Sequence, residues 1–137
     1  MVVSLRTGRL PDLEHVLTLW SVAGSVPTST DDVASLTRLL AHDPAALVLA
    51  EADGVVVGSV IAGWDGGRGS VYRLAVAPSY RRGGLGSKLL AEAERRLADL
   101  GAVRLQAIVD DTDAGATAFW GSTGWEQQSH RLRFVAG

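Results

Sequence analysis

Apolar positions recur along this chain with two different periods, and the switches between them predict most of its elements. Val2-Val3-Ser4-Leu5-Arg6 alternates weakly, as a first strand would. Leu10, Leu13, Val16, Leu17 and Trp20 then mark one helical face through about Val22. Pro11-Asp12 suits its first turn, where proline's missing N–H costs nothing. Gly24-Ser25-Val26-Pro27-Thr28 breaks the helix. A second helix, capped by Thr30 or Asp31, turns Val33, Leu36, Leu39 and Leu40 inward and ends at His42-Asp43-Pro44.

Two strand-like runs follow, Ala46 to Ala52 and Val55 to Trp64, joined by Asp53-Gly54. Both residues of that dipeptide tolerate positive φ, which a tight hairpin turn requires. Asp65-Gly66-Gly67-Arg68-Gly69 leads into the strand Val71-Tyr72-Arg73-Leu74-Ala75-Val76, ended by Ala77-Pro78. From Ser87 to Leu100 the helical period returns, with Leu89, Leu90, Ala93, Leu97 and Leu100 in line. Val103 to Val109 reads as another strand, and Asp110-Asp111-Thr112-Asp113 supplies capping residues for a short helix from Ala114 to Ser122. Gly124 ends it, and Trp125 to Gln128 and Leu132 to Val135 look like final strands. Strands and helices so interleaved predict a mixed α/β sheet.

Between the strand ending at Val76 and the helix after it lies Arg81-Arg82-Gly83-Gly84-Leu85-Gly86. The first turn of a helix has N–H groups without intrahelical partners, and the helix dipole adds partial positive charge there. Glycines let a ligand approach the backbone, and two arginines add full charges. The combination is an anion cradle suited to a phosphate or pyrophosphate. It is no P-loop, because Lys88 follows Ser87 and the spacing fails. Nor is it a dinucleotide fingerprint, which needs glycine or alanine where Leu89 stands.

Composition narrows the classes. With 137 residues, 47% hydrophobic and 20% charged, the chain is expected to form one domain over 1–137 with an ordinary core. A net charge of −2 gives no general attraction to nucleic acid or anionic membrane. The absence of cysteine excludes disulfides, thiolate zinc sites and a cysteine nucleophile. No run approaches the length of a membrane span, and no signal-peptide core opens the chain, so a cytoplasmic protein is expected. No metal site is expected. Twelve arginines stand against the single Lys88, a coding bias rather than a function.

With these motifs in order, the chain resembles the GNAT superfamily of acyl-CoA-dependent N-acetyltransferases over essentially its whole length. Arg81-x-x-Gly84-x-Gly86 fits that family's phosphate motif, and Val76-Ala77-Pro78 is its usual lead-in. Ala116-x-x-Phe119-Trp120-x-x-x-Gly124-Trp125 resembles its second signature, in which tyrosine stands where this chain has Trp120. The resemblance implies an α/β (α+β) fold: a mixed, mostly antiparallel sheet of six to seven strands, four flanking helices, and a splay between strands 4 and 5. It implies acetyl-CoA as co-substrate, with pantetheine along Leu74, Ala75 and Val76 and the pyrophosphate held by N–H groups among Arg81, Arg82, Gly83, Gly84, Leu85, Gly86 and Ser87. Asp113, Ala116, Phe119 and Trp120 complete the expected cofactor site, and the Val76 N–H faces the thioester oxygen.

The same resemblance implies direct attack by a primary amine of a small molecule or protein N-terminus. Trp120 cannot serve as an acid near neutral pH. If the CoA thiol resembles cysteine, leaving as thiolate at pH 7 costs only about 2 kcal/mol. Tyr72 is a substitute acid if it faces the cleft. Some relatives carry a glutamate near the position of Ser70; the remaining candidates for a base are Asp65, Asp110, Asp111 and His130, all at turn, cap or surface positions. The acceptor is expected between the first two helices, among Trp20, Pro27, Thr28, Asp31, Trp64 and Asp65. A homodimer through the final strands is a further expectation. The alternatives are a ribosomal-protein or N-terminal alanine acetyltransferase and a non-catalytic acyl-CoA-binding module, with a nucleotide-binding fold more distant.

Overall fold

The apolar runs pair into a sheet in the order in which they are synthesised. In a computed structural model that describes residues 2–137, β1 (Val3–Thr7), β2 (Leu47–Ala52), β3 (Val55–Trp64) and β4 (Arg68–Val76) pair antiparallel in sequence. β5 (Arg104–Ala107) joins β4 in parallel. The connection between β4 and β5 contains α3 (Leu85–Leu100), the crossover that a parallel pair demands. The other helices are α1 (Leu13–Val22), α2 (Val33–His42) and α4 (Ala114–Gly121). The chain divides into two compact units, one running to Ala107 and the other Ile108–Gly137.

Four helices and a mixed, mostly antiparallel sheet agree with expectation, but among the described residues the sheet has five strands rather than six to seven. Trp125–Gln128 and Leu132–Val135 form no strand, and Leu132 and Phe134 are 84% and 88% exposed. Runs this short, broken by Glu126, Gln127 and Arg133, bury too little to sustain an isolated hairpin.

Local corrections have local causes. Asp32, not Thr30 or Asp31, caps α2: its Oδ1 accepts from the Ser35 N–H at 2.6 Å. β4 begins at Arg68 instead of Val71, because the Asp65 carboxylate accepts from the Gly67 and Arg68 N–H groups and closes the turn early. The Asp53-Gly54 hairpin has φ of 50° and 76°, the positive pair its turn requires.

The pleat assigns each residue a face. Ile61 and Ala75 share a core with Leu13, Val16, Leu19, Trp20 and Leu36, so α1 and α2 cover that side of the sheet. Residues of the opposite parity meet α3. There Gly58 permits a close approach: an added Cβ would lie 2.9 Å from Leu89 Cδ1 and 3.2 Å from Ala50 Cβ. Since α3 carries the glycine loop at its start, this contact sets the loop's height above the sheet. Gly58→Val is therefore expected to cost about 1–3 kcal/mol by overpacking. Urea unfolding reads this; an unchanged midpoint would mean that Leu89 can move aside.

Candidate active site

The site begins where β4 loses a neighbour. Val71, opposite Ala107, is the last residue of β4 paired with β5, while β4 continues beside β3 to Val76. From Tyr72 to Val76 one edge of the strand therefore has no strand partner. The Ala77 N–H points to β3, donating to Val57 O at 2.8 Å. Backbone groups alternate sides along a strand, which turns the Val76 and Leu74 N–H groups to the free edge.

A bulge lies within this stretch. Ser59 pairs with Ala75 and Ile61 with Tyr72, leaving Val60 opposite both Arg73 and Leu74. Arg73 has φ +54°, a conformation that few side chains adopt freely. The buried Ser59 holds it there, donating from Oγ to Arg73 O at 2.7 Å. Ser59 Oγ in turn accepts from Trp20 Nε1 at 2.8 Å, and the Arg73 guanidinium lies 4.8 Å over the Trp20 ring. Trp20, Ser59 and Arg73 thus form a closed ring of contacts. Trp20 is 4% exposed and supports the expected acceptor side from beneath.

Beyond β4 the chain makes a 3-10 turn over Pro78–Tyr80 and enters the glycine loop. Arg82 and Gly84 have φ of +68° and +80°, and the first intrahelical bond runs from the Lys88 N–H to Gly84 O. The N–H groups of Arg82, Gly83, Gly84, Leu85, Gly86 and Ser87 donate to no protein group among the described residues. Leu85 anchors the helix with a buried side chain, and Gly83, Gly84 and Ser87 are exposed. Arg81 is committed elsewhere: its N–H donates to Pro78 O, its Nε to Val76 O at 3.2 Å and its Nη2 to Ala23 O at 2.7 Å. It braces the ends of β4 and α1. Arg82 is exposed.

The remaining candidates separate. Tyr72 pairs with Ile61, faces the side covered by α1 and α2, and is 43% exposed. Burial, and secondly the charge of Asp43, raises its pKa above the ordinary phenol value. Asp31 is bound by Arg73, and Pro27 is exposed in the same loop. Trp64 and Asp65 lie at the opposite end of the sheet. Trp64 pairs with Gly69, and residues 69 to 76 of β4 span roughly 20 Å at about 3.3 Å each. The N–H groups of Arg68 and then Gly67 hold the Asp65 carboxyl below its ordinary pKa.

In the second unit, Asp113 caps α4 by accepting from the Ala116 N–H at 2.9 Å. Trp120 packs edge-on against Phe119 and Trp125, with ring centroids 5.7 and 4.9 Å away. Asp110 closes a turn, and the hydroxyl and then the N–H of Thr112 lower its pKa. Among the described residues no group of acidic or histidine side chains is arranged to hold a metal.

A profile described as the Acetyltransferase (GNAT) family matches residues 13–125. The chain belongs to the GNAT acetyltransferase family. An acetyltransferase of Photorhabdus laumondii is 37% identical over 113 residues, covering 82% of this chain and 79% of that protein. One from Sodalis glossinidius is 32% identical over 130 residues, covering 95% and 92%. The crystal structure of the PaiA N-acetyltransferase of Thermoplasma acidophilum with coenzyme A superposes with a TM-score of 0.80 at 16% identity, covering 93% and 92%. At that identity the likeness concerns the fold alone. The family and these relatives make the protein an acyltransferase, with five strands in its sheet among the described residues.

Reading the sequence for motifs found the glycine loop and the free strand but missed Ser59 and Arg73. Ser59 did carry a signal: it is the polar position in the apolar run from Val55 to Ala62, and a hydroxyl buried there needs a partner. Nothing local announces the conformation of Arg73. Ser59→Ala leaves Trp20 Nε1 and Arg73 O unpaired inside the protein. An orphaned buried group costs about 1–3 kcal/mol, so unfolding free energy should fall by at least that much. A loss below about 0.5 kcal/mol in chemical denaturation would show that water repairs the gap.

Proposed function

We propose that this GNAT protein transfers an acetyl group from acetyl-CoA to a primary amine by direct attack. One observation carries the reading. The free edge of β4 leads directly into six uncommitted N–H groups at the start of α3. An extended amide chain ending in a pyrophosphate matches that surface. Leu74 and Val76 would pair with its amide groups, and the N–H groups from Arg82 to Ser87 would hold its phosphates. Each charge-assisted hydrogen bond contributes about 1.5–3 kcal/mol, so several suffice for tight binding without the Arg81 side chain. The crystal structure of the PaiA enzyme with coenzyme A gives the proposal a precedent on this fold.

Acetyl-CoA, when bound, supplies the activated acyl group; this chain's residues must stabilise negative charge and manage protons. The Val76 N–H on the free edge would stabilise the developing oxyanion. Tyr72 remains protonated well above neutral pH and suits the role of acid, whereas Trp120 offers only a hydrogen bond. Trp120, Phe119, Ala116 and Asp113 enter the proposal through the second signature alone. Of the four candidates for a base, Asp65 and Asp110 are held ionised by their own turns and accept protons poorly. Such a site favours an acceptor with little proton to lose. Neutralising a lysine amine at pH 7 costs about 4.6 kcal/mol, against about 1 kcal/mol for an α-amine. The proposed acceptor is therefore a low-pKa primary amine on a small molecule or a protein N-terminus.

Gly86→Glu places a carboxylate in the anion cradle and is expected to weaken CoA binding at least a hundredfold in calorimetry, with the circular dichroism spectrum retained. Unchanged affinity would refute the pyrophosphate assignment. For the protons, Tyr72→Phe should lower kcat tenfold or more, and Trp120→Phe by less than tenfold. A loss above about a thousandfold on changing Trp120 would reverse the two roles.

A further inference from the structure

Arg73 leaves the β4 bulge toward the loop between α1 and α2 rather than toward solvent. Its Nη1 donates to Val26 O at 3.1 Å, and its Nη2 to Thr28 Oγ1 at 3.0 Å and to the Asp31 carboxylate. The Arg73 and Asp31 side chains are only 13% and 17% exposed, although the loop around them is mostly open to solvent. Asp31 also accepts from the N–H and hydroxyl of Thr28, at 2.9 and 3.0 Å. One carboxylate therefore closes the turn 28–31 and fastens it to the arginine. At its base the same arginine is held by Ser59 through its carbonyl and by Trp20 beneath its guanidinium. A planar fork with several fixed donors can bridge three acceptors in this way; an ammonium on a flexible stem cannot.

We propose that Arg73 is a positioning residue that latches residues 26–31 to the bulge of β4 and so sets the wall against which the acceptor amine is presented. What that wall faces rests on the acetyltransferase reading; the latch itself does not. Asp31 then acts by shape. Its charge is already matched by Arg73, so it does not serve as the counter-ion for an incoming ammonium group. A bulge residue is well placed for this task, because its main chain belongs to the strand beside the reacting thioester while its side chain belongs to the acceptor side.

The decisive variant is Arg73→Gly. Glycine accepts a φ of +54° without strain, so the bulge is retained while the latch is deleted. Amide hydrogen exchange across residues 26–31 should accelerate at least tenfold. With the amine that gives the fastest thiol release from a panel of an aminoglycoside, a polyamine, an amino-sugar phosphate and an alanine-ended peptide, its KM should rise at least tenfold. The KM for acetyl-CoA should stay within threefold. Arg73→Lys should recover part of the acceptor KM. Unchanged exchange in the loop overturns the latch, and an equal rise of both KM values overturns the positioning role in favour of general destabilisation. If Arg73→Gly fails to fold, Asp31→Asn is subject to the same criteria. If the unmodified protein acetylates no amine of the panel, the transferase reading fails, and the exchange rates alone then decide the latch.

Discussion

A backbone group in a sheet needs a partner, and between Tyr72 and Val76 the fourth strand satisfies only one of its edges. The site follows from that asymmetry. β5 stops at Ala107, and five residues after Val76 the chain reaches a loop whose own N–H groups are equally unspent. A molecule able to pair with an extended strand and end in an anion is the natural complement of the two surfaces together. Either surface alone would be ordinary: an edge strand, or a helix start open to water.

An open strand edge is useful only if its geometry is held, and the core holds it. Trp20 and Ser59 carry a hydrogen-bond chain from α1 through β3 to the carbonyl of Arg73, so the bulge is fixed from the buried side. On the other side two arginines leave the end of β4 and reach the same connection. Arg81 ties Val76 to Ala23, and Arg73 ties the bulge to Val26, Thr28 and Asp31. The α1–α2 loop is thereby stitched at its beginning and along its length to β4 and the turn after it. Arg81 and Arg73 thus work as ties between elements, while the N–H groups from Arg82 to Ser87 donate to no protein group among the described residues.

Much of this was legible in the residues. Periodicity located each helix to within a few residues, Asp53-Gly54 announced its hairpin, and the glycine loop marked the unpaired N–H groups at the start of α3. What sequence reasoning overdrew was the end of the chain, where Leu132, Phe134 and Val135 have the rhythm of a strand but no ladder to join. Rhythm reports which face would be buried, and pairing decides whether there is a strand at all. Pairing also decides what the acidic side chains near β4 do. Asp31 and Asp65 each had two readings, a counter-ion for an ammonium group or a residue closing a turn; one is claimed by an arginine 42 residues away and the other by its own turn. Trp64 and Asp65 are near β4 in sequence, but they lie at its start, and an antiparallel strand carries its start far from the free edge at its end.

The protonation states constrain the reaction more than the residue identities do. Turn carboxylates such as Asp65, stabilised by N–H donors, are poor bases, and burial keeps the Tyr72 phenol neutral, so under the proposed reaction these groups would help finish the transfer rather than start it. On the proposed reaction, an enzyme so arranged would select its acceptor partly by that amine's own basicity. At pH 7 an amine of pKa near 8 presents its neutral form about a few hundredfold more often than a lysine does. Specificity would then come from the acceptor's chemistry together with the latched wall that orients it, rather than from a carboxylate gripping an ammonium group. An Asp31 neutralised by Arg73 is consistent with that division of labour, because a free carboxylate at the same place would stabilise the protonated, unreactive form of the amine.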